Sequence, residues 1–274
     1  MKQYFCIPLF LFAAVCARAQ HSVEKLWQTD TVINLPESVL PDTKAGVLYV
    51  SIMGNSATDI DSIGGIGKLD MNGQVVDLNW VKGLNSPKGM AIHAGKMFVA
   101  DVTDLAVIDI AKAKVIQRIP VPGSAFLNDV TADAKGVVYV SDSRTRKIHR
   151  FINGTVETYM ENIDGLNGLK AVGDLLYIAG GGKSLLKADV NKGMIKVAGL
   201  PQGGDGIEPI GNGDFLFSSW GGYLYYVYAD GRSDLLLDTH LEKINIADIG
   251  YDPVKRVVYI PTFFKKTVMA YQLK

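Results

Sequence analysis

Residues 36–39 read Pro-Glu-Ser-Val, and the strand-like stretch Val-Leu-Tyr-Val-Ser follows at 47–51. The same arrangement recurs along the chain: an apolar residue, proline or glycine, then a mostly polar position, a small or acidic residue, an apolar residue and a β-rich stretch. Six copies are present, and their second positions fall at residues 37, 88, 128, 167, 205 and 247. The intervals of 51, 40, 39, 38 and 42 residues are typical of the blades of a β-propeller.

Each copy continues with further short stretches of alternating polarity. Examples are Leu-Ala-Val-Ile-Asp at 105–109 and Val-Ile-Gln-Arg-Ile at 115–119, so each unit holds four short strands. Asn-Gly at 153–154 and Asp-Gly at 230–231 accept the positive φ angles that tight hairpins need. The sequence therefore predicts an all-β fold, a six-bladed β-propeller of four-stranded antiparallel blades, as one domain over residues 20–274.

The first interval is about ten residues longer than the others, because a polar, glycine-flanked segment follows the second strand. We expect this segment to form a loop on one rim of the propeller. Its Asp59 and Asp61 resemble the start of a calcium loop, but the later ligands of that motif are missing. The segment 23–29 is a candidate for the strand that closes the ring beside the last strand, 268–273.

Residues 1–19 resemble a secretory signal peptide. A positive start and an apolar run precede Ala-Arg-Ala at 17–19, which has the small-x-small pattern that signal peptidases cleave. The run is too short to span a bilayer, so we expect an exported protein, periplasmic or secreted, with no membrane span. Both cysteines, Cys6 and Cys16, lie in this segment, so the exported chain is predicted to have no disulfide. Lipoprotein processing would use Cys16, but Val15 stands where that chemistry requires a small residue.

The charge is balanced, with 28 basic and 28 acidic side chains intermingled along the chain. No basic block of the kind that tracks phosphates is present, so nucleic acid and anionic membrane surfaces are not expected partners. The Gly-Gly-Gly-Lys-Ser stretch at 180–184 has neither the opening glycine nor the following helix of a phosphate-binding loop. The sequence contains no Gly-x-Ser-x-Gly elbow, so serine-hydrolase chemistry has no support.

The first strand of each propeller blade lines the central channel, so the second positions of the six copies should form a ring around one end of it. Five of these six ring residues are polar. Polar side chains pack poorly in a channel without water, but they can bind a cation or a polar small-molecule ligand in the channel mouth. Trp220, just after an inner-blade strand, is a candidate wall of that site. The ring reads Glu37, Lys88, Asn128, Asn167, Asp205 and Ala247.

In these residues the chain resembles the senescence-marker-protein, gluconolactonase and luciferin-regenerating family of six-bladed propellers. The resemblance spans nearly the whole mature chain and keeps the family's order around the ring. The matching motifs are Pro-Glu-Ser-Val at 36–39, Asn-Asp-Val at 128–130, Asn-Gly-Leu at 167–169 and Asp-Gly-Ile at 205–207.

The resemblance implies one divalent metal held by Glu37, Asn167 and Asp205. Because these ligands are all oxygen donors, we expect Ca²⁺ first, with Mg²⁺, Mn²⁺ or Zn²⁺ as alternatives. It also implies that Asn128 orients a substrate and that Asp205 or a metal-bound hydroxide activates water. The corresponding activity would be the metal-dependent hydrolysis of a lactone or a small ester.

The chain departs from the family pattern at two places. Ser-Ala-Phe-Leu stands at 124–127, where family members carry an arginine just ahead of the Asn-Asp pair. Lys88 is in the ring, where its ammonium can pair with Glu37 or Asp205 and take the place of a metal. Two alternatives therefore stay open: a structural salt-bridge cluster of Glu37, Lys88 and Asp205, and a non-catalytic binding propeller of the NHL type for a sugar, peptide or protein partner.

Overall fold

The computed structural model describes residues 21–274. Residues 1–20, which include the predicted signal peptide and both cysteines, lie outside the described residues, so export stays a prediction. Within 21–274 the strands form six sheets of four antiparallel strands each, arranged as blades in a ring. The one helical element of that range is a 3₁₀ turn, Phe263–Lys265, and no helix there is long and apolar enough to cross a membrane. The predicted six-bladed propeller is confirmed.

In the first five blades the strands follow one another along the chain, from the channel outward. Blade 1 comprises β2 (Pro36–Asp42), β3 (Val47–Ile52), β4 (Gly64–Asp70) and β5 (Val75–Leu84). Blade 2 comprises β6 (Pro87–His93), β7 (Lys96–Asp101), β8 (Asp104–Asp109) and β9 (Lys114–Pro120). Blade 3 comprises β10 (Leu127–Ala132), β11 (Val138–Asp142), β12 (Lys147–Ile152) and β13 (Thr155–Met160).

Blades 4 and 5 repeat this pattern with shorter inner strands. Blade 4 comprises β14 (Leu169–Val172), β15 (Leu175–Gly180), β16 (Ser184–Ala188) and β17 (Met194–Gly199). Blade 5 comprises β18 (Ile207–Pro209), β19 (Phe215–Ser219), β20 (Tyr223–Val227) and β21 (Ser233–Asp238).

The sixth blade is completed by the strand nearest the N-terminus, β1 (Val23–Gln28). This strand pairs antiparallel with β24, with Val23 opposite Leu273 and Gln28 opposite Met269. The segment expected to close the ring therefore does so, as the outermost strand of its sheet. From the channel outward, the blade comprises β22 (Gly250–Asp252), β23 (Val257–Pro261), β24 (Val268–Leu273) and β1.

The ring is also closed at its inner edge, where blade 6 meets blade 1. Ser38 and Asp248 form a parallel bridge. The Asp248 amide donates to Glu37 O at 3.0 Å, and the Val39 amide donates to Asp248 O at 3.2 Å. Inner strands of neighbouring blades thus contact each other directly.

This contact explains the glycines at the third position of the repeat. A Cβ added at Gly89 would lie 2.4 Å from Asp129 Oδ1, and one at Gly168 would lie 1.7 Å from the carbonyl oxygen of Asp205. Atoms in folded proteins essentially never approach a Cβ this closely. At Gly89 and Gly168 the neighbouring inner strand therefore leaves no room for a side chain.

Apolar side chains between neighbouring blades form the core. Between blades 2 and 3, Leu105 and Val107 of one sheet pack with Val130, Val138 and Val140 of the next, and all five are buried. A similar cluster joins blades 5 and 6. Because each cluster draws residues from two sheets, burial of apolar surface holds the blades face to face.

Buried serines on three second strands fix the inner strands. Ser51, Ser141 and Ser218 accept hydrogen bonds from inner-strand amides at 2.9, 2.9 and 2.7 Å. Ser218 Oγ also donates to Ala247 O of the next blade at 2.7 Å. Ser218 therefore links blade 5 to blade 6 at the level of the ring.

Ser218→Ala should lower the free energy of unfolding by about 2 kcal/mol, because two buried backbone groups lose their partner. Urea unfolding followed by circular dichroism measures this change. The control is Ser233→Ala on outer strand β21, which should change the free energy by less than about 0.5 kcal/mol. An equal loss in both variants would contradict the linking role of Ser218.

Candidate functional site

The ring positions of the repeat lie at one end of the channel. Glu37, Lys88 and Asn128 each fall at a register irregularity near the start of an inner strand. Asn167 and Asp205 lie two residues before β14 and β18, where their amides still donate to the second strand of the same blade. We call the space that these five side chains surround the ring chamber.

The charged residues of the ring chamber are almost fully buried, since Glu37, Lys88 and Asp205 are 5 %, 1 % and 3 % exposed. Burial raises the pKa of Glu37 well above its usual range, and the carboxylates of Asp205 and Asp248 raise it further. Burial and Asp248 also raise the pKa of Asp205, while a hydrogen bond from Asn167 opposes that shift. The ring chamber therefore favours a proton or a cation beside these carboxyl groups.

Two oxygen atoms of the ring chamber have no hydrogen-bond partner. Glu37 Oε2 and Asn167 Oδ1 are buried, and no group in the described part of the chain donates to either. The side chain of Asn167 lies close enough to Asp205 to lower the pKa of that carboxyl group. Buried acceptors without a donor are uncommon, and carboxylate and amide oxygens are ligands that calcium and magnesium prefer. This set of oxygens therefore fits a hard divalent cation.

Lys88 forms no ion pair with any described carboxylate within 4.0 Å. Its Nζ donates to Ser86 O at 2.9 Å and lies 4.5 Å from the centre of the Phe126 ring. Burial lowers the pKa of Lys88 to about 8, although nearby carboxylates oppose the shift. The pairing with Glu37 or Asp205 that the sequence suggested is thus not formed, and the ammonium leaves both carboxyl groups free.

Asn128 is held by the loop between β11 and β12. Its Nδ2 donates to Ser143 Oγ at 3.0 Å. The next residue of that loop, Arg144, lies 5.5 Å from the ring centre of Phe126. A guanidinium group is therefore present at this mouth, although the segment 124–127 contains none. Sequence reasoning missed Arg144 because it belongs to a different loop of the same blade.

The insert after β3, residues 54–63, covers one side of this mouth. Ser86 Oγ donates to two backbone carbonyl groups of the insert at 2.9 Å each. Ala57 packs against an apolar group that contains ring position Ala247. Asp61 Oδ1 accepts the amide of the residue two positions later, so this aspartate stabilises a turn. The predicted rim loop is thus present, and it lies over the ring rather than away from it.

Trp220 lies on the rim of the same mouth, outside the ring. Its side chain is 44 % exposed. Its ring packs edge-on against Phe263 and Phe264, at centroid distances of 5.6 and 6.0 Å. Phe263 also belongs to the apolar group under the insert, so Trp220 and the insert form one continuous rim.

A cavity of about 420 Å³ occupies the channel beyond the ring chamber and opens at the opposite mouth. We call it the channel cavity. Its lining includes Asp129 and Asp248, together with Lys170 and Glu208, which form an ion pair at 2.8 Å. Sequence reasoning did not single out these four residues as a site. The repeat could have identified them. Each of these residues follows a ring position by one or three residues, and side chains alternate along a strand, so all four face the same way.

Within residues 21–274, no three His, Cys, Asp or Glu side chains form a group that could hold a metal ion. The ring chamber has two carboxylates, and its third candidate ligand is the amide oxygen of Asn167. A cation there would therefore depend on this amide as much as on the acidic residues.

No protein-family model matches the chain, and no curated protein sequence matches it either. Membership of the senescence-marker-protein and gluconolactonase family therefore stays a prediction. Among solved structures, a catalytically inactive virginiamycin B lyase from Staphylococcus aureus with quinupristin superposes with a TM-score of 0.66 at 12% identity, covering 93% of this chain and 100% of the other. A streptogramin B lyase gives a TM-score of 0.66 at 11% identity, over 93% and 98% of the two chains. The chain is thus a six-bladed β-propeller that shares its fold with these lyases.

Proposed function

We propose that the ring chamber binds a divalent cation through Glu37, Asn167 and Asp205. The observation that carries this proposal is the pair of buried oxygens, Glu37 Oε2 and Asn167 Oδ1, to which no described group donates. Asp205 lies near both residues, because Asn167 lowers the pKa of Asp205 and the charge of Asp205 raises the pKa of Glu37. A cation would satisfy both free oxygens and offset two carboxylates at once.

Calcium suits this set of ligands best. All the donors are oxygens, which calcium, magnesium and manganese accept, whereas zinc sites usually include nitrogen or sulfur. Calcium also tolerates irregular geometry and completes its shell with water. The ammonium of Lys88 acts on Glu37 in the opposite direction to the carboxylates, so Lys88→Met should increase the affinity for calcium.

The proposal extends to hydrolysis of a lactone or a small ester by the exported protein. A bound divalent cation would polarise the carbonyl group of such a substrate. Asn128, which Ser143 holds at the mouth, positions the substrate through its free amide oxygen. Asp205 would take the proton that the attacking water loses.

A binding propeller without catalysis is the second candidate function. The charged ring residues are at most 5 % exposed, and the insert 54–63 covers part of the mouth, so access for an ester carbonyl is narrow. Trp220 and Phe264 on the rim are 44 % and 60 % exposed. Such aromatic surface suits stacking with a sugar ring or a peptide side chain.

Cation binding is tested by thermal unfolding of residues 20–274 after treatment with a chelator. Calcium at one hundred times its Kd should add about 2.7 kcal/mol of stability, which corresponds to a rise in Tm of about 5–11 °C for a domain of this size. Glu37→Gln keeps the side-chain shape but removes the charge, and it should abolish most of this rise. Glu157→Gln makes the same change at an exposed outer-strand residue and should leave the rise intact. No calcium-induced rise in the wild type would contradict the cation site.

Catalysis is measured separately, as initial rates of ring opening for simple lactones and of cleavage for small esters, with and without calcium. Quinupristin, present with one of the fold neighbours, is included to test for lyase chemistry. Calcium-dependent lactone opening that is lost in Asp205→Asn would support the hydrolase. A calcium-induced rise in Tm without turnover of any of these compounds would favour the binding propeller.

A further inference from the structure

The channel cavity is separate from the ring chamber in its opening and in its lining. Its mouth is formed by the turn after β2, which includes Thr43 and Lys44, and its inner end is formed by Ser38, Asp129 and Asp248. The volume of about 420 Å³ falls in the range of small-molecule sites. None of the three predicted cation ligands belongs to this lining.

The inner part of this cavity has three carboxyl groups, those of Asp129, Glu208 and Asp248, and one ammonium group. Lys170 is the cation there, and it is already paired with Glu208 at 2.8 Å. Asp129 is satisfied by backbone amides, since Val130 N and Leu169 N donate to its two oxygens. These bonds fix the orientation of the Asp129 carboxyl group and use both of its oxygens.

Asp248 is the carboxylate with a free acceptor. Its Oδ2 accepts a hydrogen bond from Ser38 Oγ at 2.5 Å, and its Oδ1 accepts none from the residues that the structure describes. The side chain lines the cavity and is fixed by the backbone contacts between Asp248, Glu37 and Val39. A ligand with a strong donor can therefore bond to Oδ1 without any rearrangement of the protein.

The other walls distinguish an organic cation from a bare ion. Leu40, Ile92 and Ala132 line the cavity and are only half-buried, so they give it apolar walls. Such walls supply no further ligand atoms to a bare metal ion. The acidic residues at its inner end also do not form a group that could chelate a metal. An ammonium group needs only separate acceptors, and an attached carbon skeleton would fill the apolar part.

We infer that the channel cavity binds a compact organic amine, whose ammonium group donates to Asp248 Oδ1 and whose carbon skeleton packs against Leu40, Ile92 and Ala132. The Lys170–Glu208 pair and Thr131 supply further polar contacts on the wall. This site uses other residues and the opposite mouth from the proposed cation site, and the two sites are linked through Asp248, which raises the pKa values of Glu37 and Asp205.

The test uses three probes that share a six-membered ring and differ in charge: cyclohexylmethylamine, cyclohexylmethanol and cyclohexanecarboxylate. Calorimetric titration of residues 20–274 should show binding of the amine, at least tenfold weaker binding of the alcohol, and none of the carboxylate. Asp248→Asn should weaken amine binding at least tenfold. Asp174→Asn is the matched control, because it removes an exposed carboxylate from the same rim outside the cavity, and it should leave the affinity unchanged.

A second variant locates the site without altering buried charge. Thr43→Trp places a large side chain at the exposed entrance and should weaken amine binding, even if Asp248→Asn fails to fold. The inference is overturned if the alcohol or the carboxylate binds as tightly as the amine. It is also overturned if neither Asp248→Asn nor Thr43→Trp changes the affinity. Loss of calcium binding in Glu37→Gln with retained amine binding would separate the two sites.

Discussion

Replacing Gly168 with alanine should lower the free energy of unfolding by about 4 kcal/mol or more, a loss in the exceptional range for single substitutions. The new Cβ would lie 1.7 Å from the carbonyl oxygen of Asp205. That oxygen belongs to the backbone of the next blade, so no side-chain rotation can relieve the overlap, and blades 4 and 5 must separate. The expected fall in Tm is about 8–16 °C, measured by calorimetry or circular dichroism.

Gly221→Ala is the matched control for this prediction. Gly221 is exposed, and its Cβ would meet the Tyr223 ring at 3.4 Å, an ordinary contact. It should change the free energy of unfolding by less than about 1 kcal/mol. Similar Tm values for both variants would mean that the inner strands are not packed as closely as described. Gly168 follows the predicted cation ligand Asn167 and packs against the backbone of a second ligand, Asp205. Gly168→Ala should therefore also abolish calcium binding in any protein that still folds.

In chelator-treated protein, the free energy of unfolding should pass through a minimum at about pH 7–8. Most proteins are instead near their maximum stability in this range. Burial raises the pKa of Asp248 from 3.8 to about 7. The charge of Glu208 also raises this pKa, whereas the hydrogen bond from Ser38 lowers it. Burial raises the pKa of Asp129 in the same direction. A carboxyl group with a raised pKa binds more protons in the folded state than in the unfolded state. Stability is therefore lost as pH rises from about 4 to about 7.

The rise in stability above about pH 8 comes from Lys88. Burial lowers its pKa from 10.5 to about 8, so between these values the unfolded chain binds more protons than the folded protein does. Stability should therefore rise again as pH increases above about 8.

The expected depth on the acidic side is about 2–4 kcal/mol between pH 5 and pH 7.5, since one pKa unit corresponds to about 1.4 kcal/mol. Urea unfolding at each pH measures it. Asp248→Asn should remove a large part of the fall, and saturating calcium should reduce it by offsetting Glu37 and Asp205. A stability that rises steadily from pH 5 to pH 7.5 in the chelator-treated wild type would show that the channel carboxylates are not buried as described.

The architecture was predictable from local sequence. The repeat interval identified six blades, and the Asn-Gly and Asp-Gly turns marked hairpins, because strand alternation and turn conformation depend on residues close together in the chain. The insert 54–63 was recognised in the same way, by its excess length. The ring of Glu37, Lys88, Asn128, Asn167 and Asp205 followed from the repeat, since equivalent positions of a closed ring must face one axis.

Contacts between blades were not predictable in this way. Lys88 was expected beside Glu37 or Asp205, but the structure places its ammonium against Ser86 and Phe126, because the direction of a long side chain depends on which neighbours the closed ring brings close to it. Arg144 reaches Phe126 from a separate loop for the same reason.

The repeat pattern of the sequence determined the number of blades, the number of strands in each blade and the polar character of one end of the channel. Only the tertiary structure decided that Gly168 has no room for a side chain, that Glu37 Oε2 and Asn167 Oδ1 lack donors, and that Asp129, Lys170, Glu208 and Asp248 share one cavity. The physical reason is that strand formation depends on neighbours along the chain. Burial, charge coupling and steric exclusion depend on residues from about 40 to more than 200 positions apart, which meet only when the ring closes.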